Sequence, residues 1–463
     1  MKNLTIVTSA ILVSTAMSAC NIEDKIKESF VDYAEPLAEQ TSTHGDPARV
    51  LPENPEGCPD WKKNEIVDIT ESLTLPEGCK YDRVGLKIID KSNIILDCNG
   101  AELSGLDREF RQAVDKPYSE ETAPLNVGIQ IGAGPNRMNN VTVKNCNLRN
   151  YVRGIRVTLG LSEQQKTDLR NNANVPELED FLRLGSPKNV KIQNSVINYS
   201  HKDGVYIDRY VTDFVFENSS INFTGAVGLY LDSGSSGSII RNSTFTKNGH
   251  SDYDTSKLKR IRRLAVDSRE AIAIDSSINH TVESNVFSQN SRGAVFIYKN
   301  CNEHAQDPRQ IPRYQSADNN IITNNEFNNE AIGVWVASRQ SKDLAALECG
   351  SPIIAKGTIR YGTRKEETLF YEDFAKNNQV LFNTFNNVNR AVVIEDDNNS
   401  VQNNTFTGKA DFDVQVGTKY RTENLSNPVK GTKIENNAFN TNASPHIKEI
   451  FGPVDTTIAD NTP

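Results

Sequence analysis

Ten copies of one strand-length unit run through this chain: GLKIID from residue 85, GIQIGA from 128, GIRVTL from 154, GVYIDR from 204, GLYLDS from 228, AIAIDS from 271, AVFIYK from 294, GVWVAS from 333, AVVIED from 391 and DVQVGT from 413. Places two and four are apolar in every copy, and a period of two puts them on one face with places three and five on the other. After each copy comes a second strand ending in a polar turn, as in VTVKNCNL, VKIQNSVI, FVFENSSI, SIIRNSTF, SVQNNTF and TKIENNAF. A unit this short cannot bury its own apolar face and must stack on the next. The turns supply a further column: Cys146, Ser195, Ser219, Ser243, Asn285, Asn325, Asn383, Asn404 and Asn437. Stacked Asn side chains hydrogen-bond from one rung to the next, so this column is structural. The Asn-x-Ser/Thr sequons it creates imply no glycan.

The repeats and the polar column resemble the right-handed parallel β-helix of the pectin-lyase-like superfamily, over roughly residues 80–443. That resemblance implies an all-β chain: a single right-handed parallel β-helix solenoid of about ten rungs, with an internal Asn/Ser ladder and loop insertions walling one face. A β-propeller also repeats, but its blades are longer and lack a one-rung Asn column. The insertions are 160–186, 251–268, 300–318 and 339–376, and all flank the first strand of a rung. Loops of such length are uncommon in a compact fold and often functional. Enzymes resembling this fold keep their substrate groove on that outer face.

Residues 1–20 read as a lipoprotein-type signal peptide: Lys2, an apolar run, then MSAC ending at Cys20, the expected lipidation site. Ordinary signal-peptidase cleavage is the alternative. Residues 21–56 are acidic and Pro-bearing and read as a flexible tether, 57–443 as the β-helix domain and 444–463 as a C-terminal tail. The chain is therefore expected to be exported as a bacterial lipoprotein of the outer membrane, on its periplasmic side or at the cell surface, anchored through Cys20. Six cysteines remain, of which Cys58 and Cys79 are the favoured disulfide; the pairing of Cys98, Cys146, Cys301 and Cys349 stays open. A net charge of −9 argues against a nucleic-acid partner.

Place five reads Asp208, Asp232, Asp275 in three successive copies. Carboxylates one rung apart repel by about 1 kcal/mol in water and roughly 3–4 kcal/mol at an effective dielectric of 20. Such an arrangement calls for a raised carboxyl pKa or a bridging cation, and Ca²⁺ at Asp208, Asp232 and Asp275 is the candidate cofactor. Place three offers Tyr206, Tyr230, Phe296 and Trp335 as rings suited to sugar faces, with the small Ala273 beside Asp275. Basic groups gather nearby: Lys202, Arg209, Arg292 and Lys299 at rung ends, and Lys257, Lys259, Arg260, Arg262, Arg263 and Arg269 before the Asp275 strand. They suit an anionic polymer.

Together these residues point to β-elimination or epimerisation of a uronic-acid polysaccharide, in which the sugar carboxylate is neutralised and its α-proton removed. Arg269, Lys299 and Tyr298 are the candidate bases or acids, with Asp208, Asp232 and Asp275 binding Ca²⁺ or steering the base. His201 and His250 rank lower. Two alternatives stand beside this: hydrolysis by the same three aspartates, whose rung spacing suits either glycosidase geometry, and a non-catalytic polysaccharide-binding or adhesive lipoprotein. Signatures of polygalacturonases and alginate epimerases are absent, and CNEH at 301–304 has too few ligands for zinc.

Overall fold

The alternation is realised as three parallel sheets wound around one core. The computed structural model describes residues 54–106, 124–134, 137–171, 175–250, 268–300, 311, 313–338, 353–361, 364–371 and 374–463. Cys20, most of the expected tether, Cys301, Cys349, the CNEH stretch and the basic cluster Lys257–Arg263 lie outside the described residues. The first sheet takes one strand from each rung: Ile66–Asp68, Gly85–Ile89, Val127–Ala133, Arg153–Leu159, Val205–Ile207, Leu229–Leu231, Glu270–Asp275, Gly293–Tyr298, Ile332–Val336, Arg390–Ile394, Phe412–Val416 and Ile447–Glu449. The second sheet likewise has twelve strands and the third eleven, giving a parallel β-helix of about twelve rungs.

Ten rungs were expected, and the two additional ones are terminal. The last carries Glu449 where inner rungs have an aliphatic residue, and that side chain is exposed. A capping rung buries only one side, so it needs less apolar sequence. For the same reason residues 444–463 are not a tail: Ile447–Glu449 and Thr457–Ala459 extend the first and second sheets.

Register holds like over like. Val205 and Ile207 pair with Leu229 and Leu231, which pair with Ile272 and Ile274, and all join one continuous apolar core. In the third sheet the rings of Phe245, Phe287, Phe327, Phe385 and Phe406 stack at 4.6–5.1 Å, the spacing of neighbouring strands.

The turns are built in pairs of residues. The first adopts a positive φ, as Asn194, Asn218 and Asn242 do at 48–50°, a region Asn tolerates better than most residues. The second turns inward and accepts from the backbone N–H of the preceding rung. Cys146 N donates to Ser195 Oγ, Ser195 N to Ser219 Oγ, Ser219 N to Ser243 Oγ and Ser243 N to Asn285 Oδ1 at 3.0–3.2 Å. The ladder continues through Asn325, Asn383, Asn404 and Asn437 to Asn461. Two further ladders occupy the other turns: Ser238, His280, Asn320, Asn378, Asn399, and Thr224, Asn248, Asn290, Glu330. Disulfides Cys58–Cys79, as expected, and Cys98–Cys146 close the N-terminal rungs.

Insertion 160–186 forms helices α1 (Glu163–Arg170) and α2 (Val175–Gly185). Their Leu169 and Leu182 build a small second core with Tyr210 and Ile311. A short helix, α3 (Lys419–Leu425), follows the penultimate first-sheet strand, and Ile353–Tyr361 pairs antiparallel with Arg364–Tyr371.

His280 is the weak member of its ladder. Its Nδ1 accepts from Ser238 N at 3.0 Å, as an Asn Oδ1 would, but its Nε2 is buried without a partner. Burial holds its pKa down to about 3. An unfolded histidine titrates near 6.5, so the stability of the neutral buried form is present above that pH and is lost as pH falls from about 6.5 toward 3. The His280→Asn variant is expected to gain about 1–2 kcal/mol at neutral pH and to lose less stability on acidification. Urea titrations at neutral and mildly acidic pH check both; equal or lower stability at neutral pH would contradict this account of the ladder.

Candidate functional site

Alternation sends places three and five of the first sheet away from the core, and neighbouring rungs join them diagonally. Tyr206 at place three donates its phenol to Asp232 Oδ2, place five of the next rung, at 2.8 Å. Tyr230 repeats the step, donating to Asp275 Oδ2. The two rings stack 5.0 Å apart. Tyr298 at place five reaches back to Glu270 Oε1 at 2.6 Å. Place three of that strand is Ala273, whose methyl leaves room for the phenol and carboxylate to meet.

The expected open acidic floor is roofed over. Asp232 is 4 % exposed and Asp275 is fully buried. Arg313, from insertion 300–318, sits between them, with Nη2 3.3 Å from Asp232 Oδ1 and Nε 3.6 Å from Asp275 Oδ2. Asn300 adds its backbone N–H and Nδ2 to Asp275 at 2.8 and 2.9 Å. The segment is clamped from several sides. Lys299 Nζ donates to Tyr314 O at 3.2 Å, Tyr314 donates its phenol to Leu169 O of α1, Arg209 donates to Ile311 O and Arg183 of α2 donates to Gln315. Lys299 and Arg209 therefore anchor this cover.

Asp208 has partners of its own, Arg156 at 2.6 Å and Thr158 at 2.7 Å. Among the described residues no group of three or more His, Cys, Asp or Glu side chains could hold a metal ion, and the bridging charge between Asp232 and Asp275 is Arg313. Phe296 and Trp335 meet edge to face at 5.1 Å and are largely covered, as is Tyr230, whereas Tyr206 keeps partial exposure. Lys202 and Arg292 are also partly exposed. His201 is buried, its pKa pushed down to about 4 by desolvation, and His250 Nε2 lies 3.4 Å from Gln289 O.

Electrostatics follow from this burial. Desolvation pushes the Asp232 carboxyl up, but Arg313 and Arg209, helped by donors from Ser233 and Tyr206, together hold it below the usual range. Burial disfavours the charged form of Arg313, yet Asp275 and Asp232 raise its pKa well above the ordinary value.

A second constellation lies at the strand's entry. Arg269 Nε and Nη2 donate to both Glu270 oxygens at 3.2 and 3.1 Å, and Nη2 also donates to the Tyr298 hydroxyl at 3.2 Å. Glu270 is buried, while the Arg269 side chain keeps 34 % of its surface open. Burial and then Glu270 raise the Tyr298 pKa well above that of a free phenol, so it stays protonated. Burial pushes Glu270 up, but Arg269, Arg292 and the hydrogen bond from Tyr298 hold it below its ordinary value. Tyr298 and Arg269 were expected at a reactive position. Glu270, Arg313, Asn300 and Arg156 were not among the candidates, and only Glu270, at the start of its strand in SREAIAID, carried a signal that could have found it.

Residues 167–309 match the family model described as "Right handed beta helix region". Among solved structures the chain is similar to the A-module of the Azotobacter vinelandii mannuronan C-5 epimerase AlgE6, at 12 % identity over 87 % of this chain and 84 % of that one, with a TM-score of 0.45. It is also similar to an alginate lyase from Paenibacillus sp. str. FPU-7, at 12 % identity over 83 % and 99 % with a TM-score of 0.35. A third similarity is to the tailspike of E. coli bacteriophage HK620 in complex with a hexasaccharide, at 11 % identity over 81 % and 59 % with a TM-score of 0.37. A comparison with curated protein sequences gives no match. These likenesses concern the course of the backbone, and a fold does not fix an activity.

Removing Arg313 would leave two buried carboxylates one rung apart without their shared cation. The Arg313→Gln variant is expected to lose about 3–5 kcal/mol. Because the folded pKa of Asp232 is depressed, its contribution is present above the unfolded carboxylate pKa and lost as pH falls through the folded one. The deficit of the variant should therefore be largest near neutral pH and shrink as pH falls through the carboxylate range. Urea titrations at neutral and acidic pH read this, and equal stability of the two proteins at neutral pH would show that Arg313 does not hold the pair.

Proposed function

We propose that this chain acts on an anionic, uronic-acid polysaccharide, by β-elimination or epimerisation, at Arg269, Glu270 and Tyr298. The observation that carries the reading is the Arg269–Glu270–Tyr298 constellation: a partly open guanidinium joined to a buried carboxylate and a protonated phenol that are 2.6 Å apart. A uronic-acid unit whose carboxylate meets Arg269 has its charge neutralised, which acidifies the carbon beside that carboxylate.

Glu270 then takes the α-proton, the C–H electron pair becomes the new double bond, and the bond to the β-oxygen breaks. Tyr298 supplies a proton to the departing oxygen. Afterwards Glu270 carries the additional proton and Tyr298 lacks one, and the hydrogen bond between them returns it. Epimerisation begins with the same proton removal, but the returning proton must reach the opposite face of the carbanion from a donor other than Tyr298, which is in contact with Glu270. Hydrolysis by Asp232 and Asp275 has less support, since Arg313 fills the space between them.

The experiment is incubation of the purified chain with a panel of acidic and neutral polysaccharides. Ultraviolet absorbance of an unsaturated product, reducing ends, and exchange of solvent deuterium into the polymer are followed together. Tyr298→Phe is expected to lower the rate by roughly 10²–10⁴-fold, and Arg269→Lys to raise KM more than the phenol variant does, both with the parent's thermal midpoint. Reducing ends without absorbance would turn the reading to hydrolysis. Full activity in Tyr298→Phe would remove the phenol from the chemistry.

A further inference from the structure

Beyond Arg269, toward the C-terminal rungs, the first sheet carries basic side chains that have no carboxylate partner among the described residues. Arg292 lies one rung on from Arg269, its backbone N–H donating to Arg269 O. Its guanidinium stands over the rings of Phe296 and Trp335, at 6.0 and 5.7 Å from their centroids. Two rungs further, Arg390 stands over Phe412 at 5.9 Å, and two rungs beyond that Lys448, placed three residues further along its strand, reaches back to the same ring at 5.4 Å. Phe412 is 5 % exposed, so the two cations cover it.

Elsewhere on this face the arginines are paired: Arg153 with Asp203, Arg156 with Asp208, Arg269 with Glu270 and Arg313 with Asp232 and Asp275. Arg292, Arg390 and Lys448 make no ion pair among the described residues. The acidic groups around them are few: Glu270, whose charge is spent on Arg269; Asp411, which attracts Arg390 without pairing; and Glu449 beside Lys448. Arg390 is half-buried, and desolvation lowers its pKa more than Asp411 restores it. A partly desolvated guanidinium with no counter-ion is costly unless a ligand supplies one. The indole Nε1–H of Trp335, beside Arg292, likewise has no acceptor among the described residues.

We propose that Arg292, Arg390 and Lys448 form an anion track that holds carboxylates of a linear polyuronate lying along the helix axis. The inference rests on the reading of Arg269 above and adds how the polymer is held and in which direction it runs. Consecutive cations of the track are two rungs apart, about 10 Å along the helix axis. That interval is close to a disaccharide, so a ribbon-like chain whose alternate carboxylates face the same way would present one to each cation. The flanking aromatic rings, themselves covered, keep the cations in place.

Isothermal titration of the full chain with polygalacturonate and alginate, and with oligomers of increasing length, tests this; dextran is the neutral control. Affinity for the acidic polymers should rise with oligomer length until the track is spanned, and weaken with added salt. Arg390→Gln and Arg292→Gln are each expected to weaken binding of long acidic chains about tenfold, with Arg390→Lys recovering part of the loss and thermal midpoints unchanged. Equal affinity of parent and double variant for long chains, or parent affinity that does not depend on length, would overturn the track. Tight, length-dependent binding by a parent that shows neither elimination nor exchange would instead leave the track standing and remove the chemistry assigned to Arg269, Glu270 and Tyr298.

Discussion

A backbone N–H buried at a tight turn must find an acceptor, and here it finds one in a side chain from the next rung. Ser195 N meets Ser219 Oγ, and Asn285 N meets Asn325 Oδ1, with the Asn285 amide donating to the same oxygen. Leaving such a donor unmet costs about 1–3 kcal/mol, so the ladders act as a register lock as well as a source of stability. A slip of one residue would exchange every inward and outward side chain. The diagonal steps Tyr206 to Asp232 and Tyr230 to Asp275 exist only because this register is held.

The outer face uses the fixed register in a way that a merely structural sheet would not require. Charged groups removed from water are weak contributors to stability, because desolvation offsets most of their attraction. Yet Asp232, Asp275 and Glu270 are all buried, each beside a tyrosine hydroxyl and an arginine. Apolar side chains at those places would pack the cover at least as well. The ionic arrangement has one property that an apolar one lacks: it keeps phenols next to carboxylates at set distances, which is what a proton transfer needs.

Whatever obeys the period of the repeat could be read from the sequence. Alternation assigned places two and four to the core, and the inner ladder from Cys146 to Asn437 is found as expected. The ladder through Asn320, Asn378 and Asn399 was equally accessible, since a positive-φ Asn followed by an inward Asn is written as the doublets at 319–320, 377–378 and 398–399, whereas Thr224, Asn248 and Asn290 follow Phe223, Lys247 and Gln289 and carry no such doublet. What lay beyond reading was aperiodic. Nothing in insertion 300–318 signals that Arg313 would lie between two aspartates, because that contact depends on where a loop returns in space. Exposure failed for the same reason: alternation tells which way Asp275 points, and only the fold tells what lies above it. Glu449 shows the converse, an exposed residue at an inward place that hid the last rung.

The two arginine constellations divide the face between them. Arg313 is enclosed, with both of its carboxylates buried and its cover held by Lys299, Arg209 and Arg183, so its charge is fully committed within the protein. Arg269 holds Glu270 on one side and keeps a third of its surface open on the other. An incoming anion at Arg269 would compete with Glu270 for the same guanidinium. Glu270 is held below its ordinary pKa largely by that contact, against the upward pull of burial. Drawing Arg269 toward a bound carboxylate therefore weakens the restraint and raises the proton affinity of Glu270. On the proposed reading, Glu270 would become a stronger base when an acidic sugar arrives, and the coupling would need no movement of the backbone.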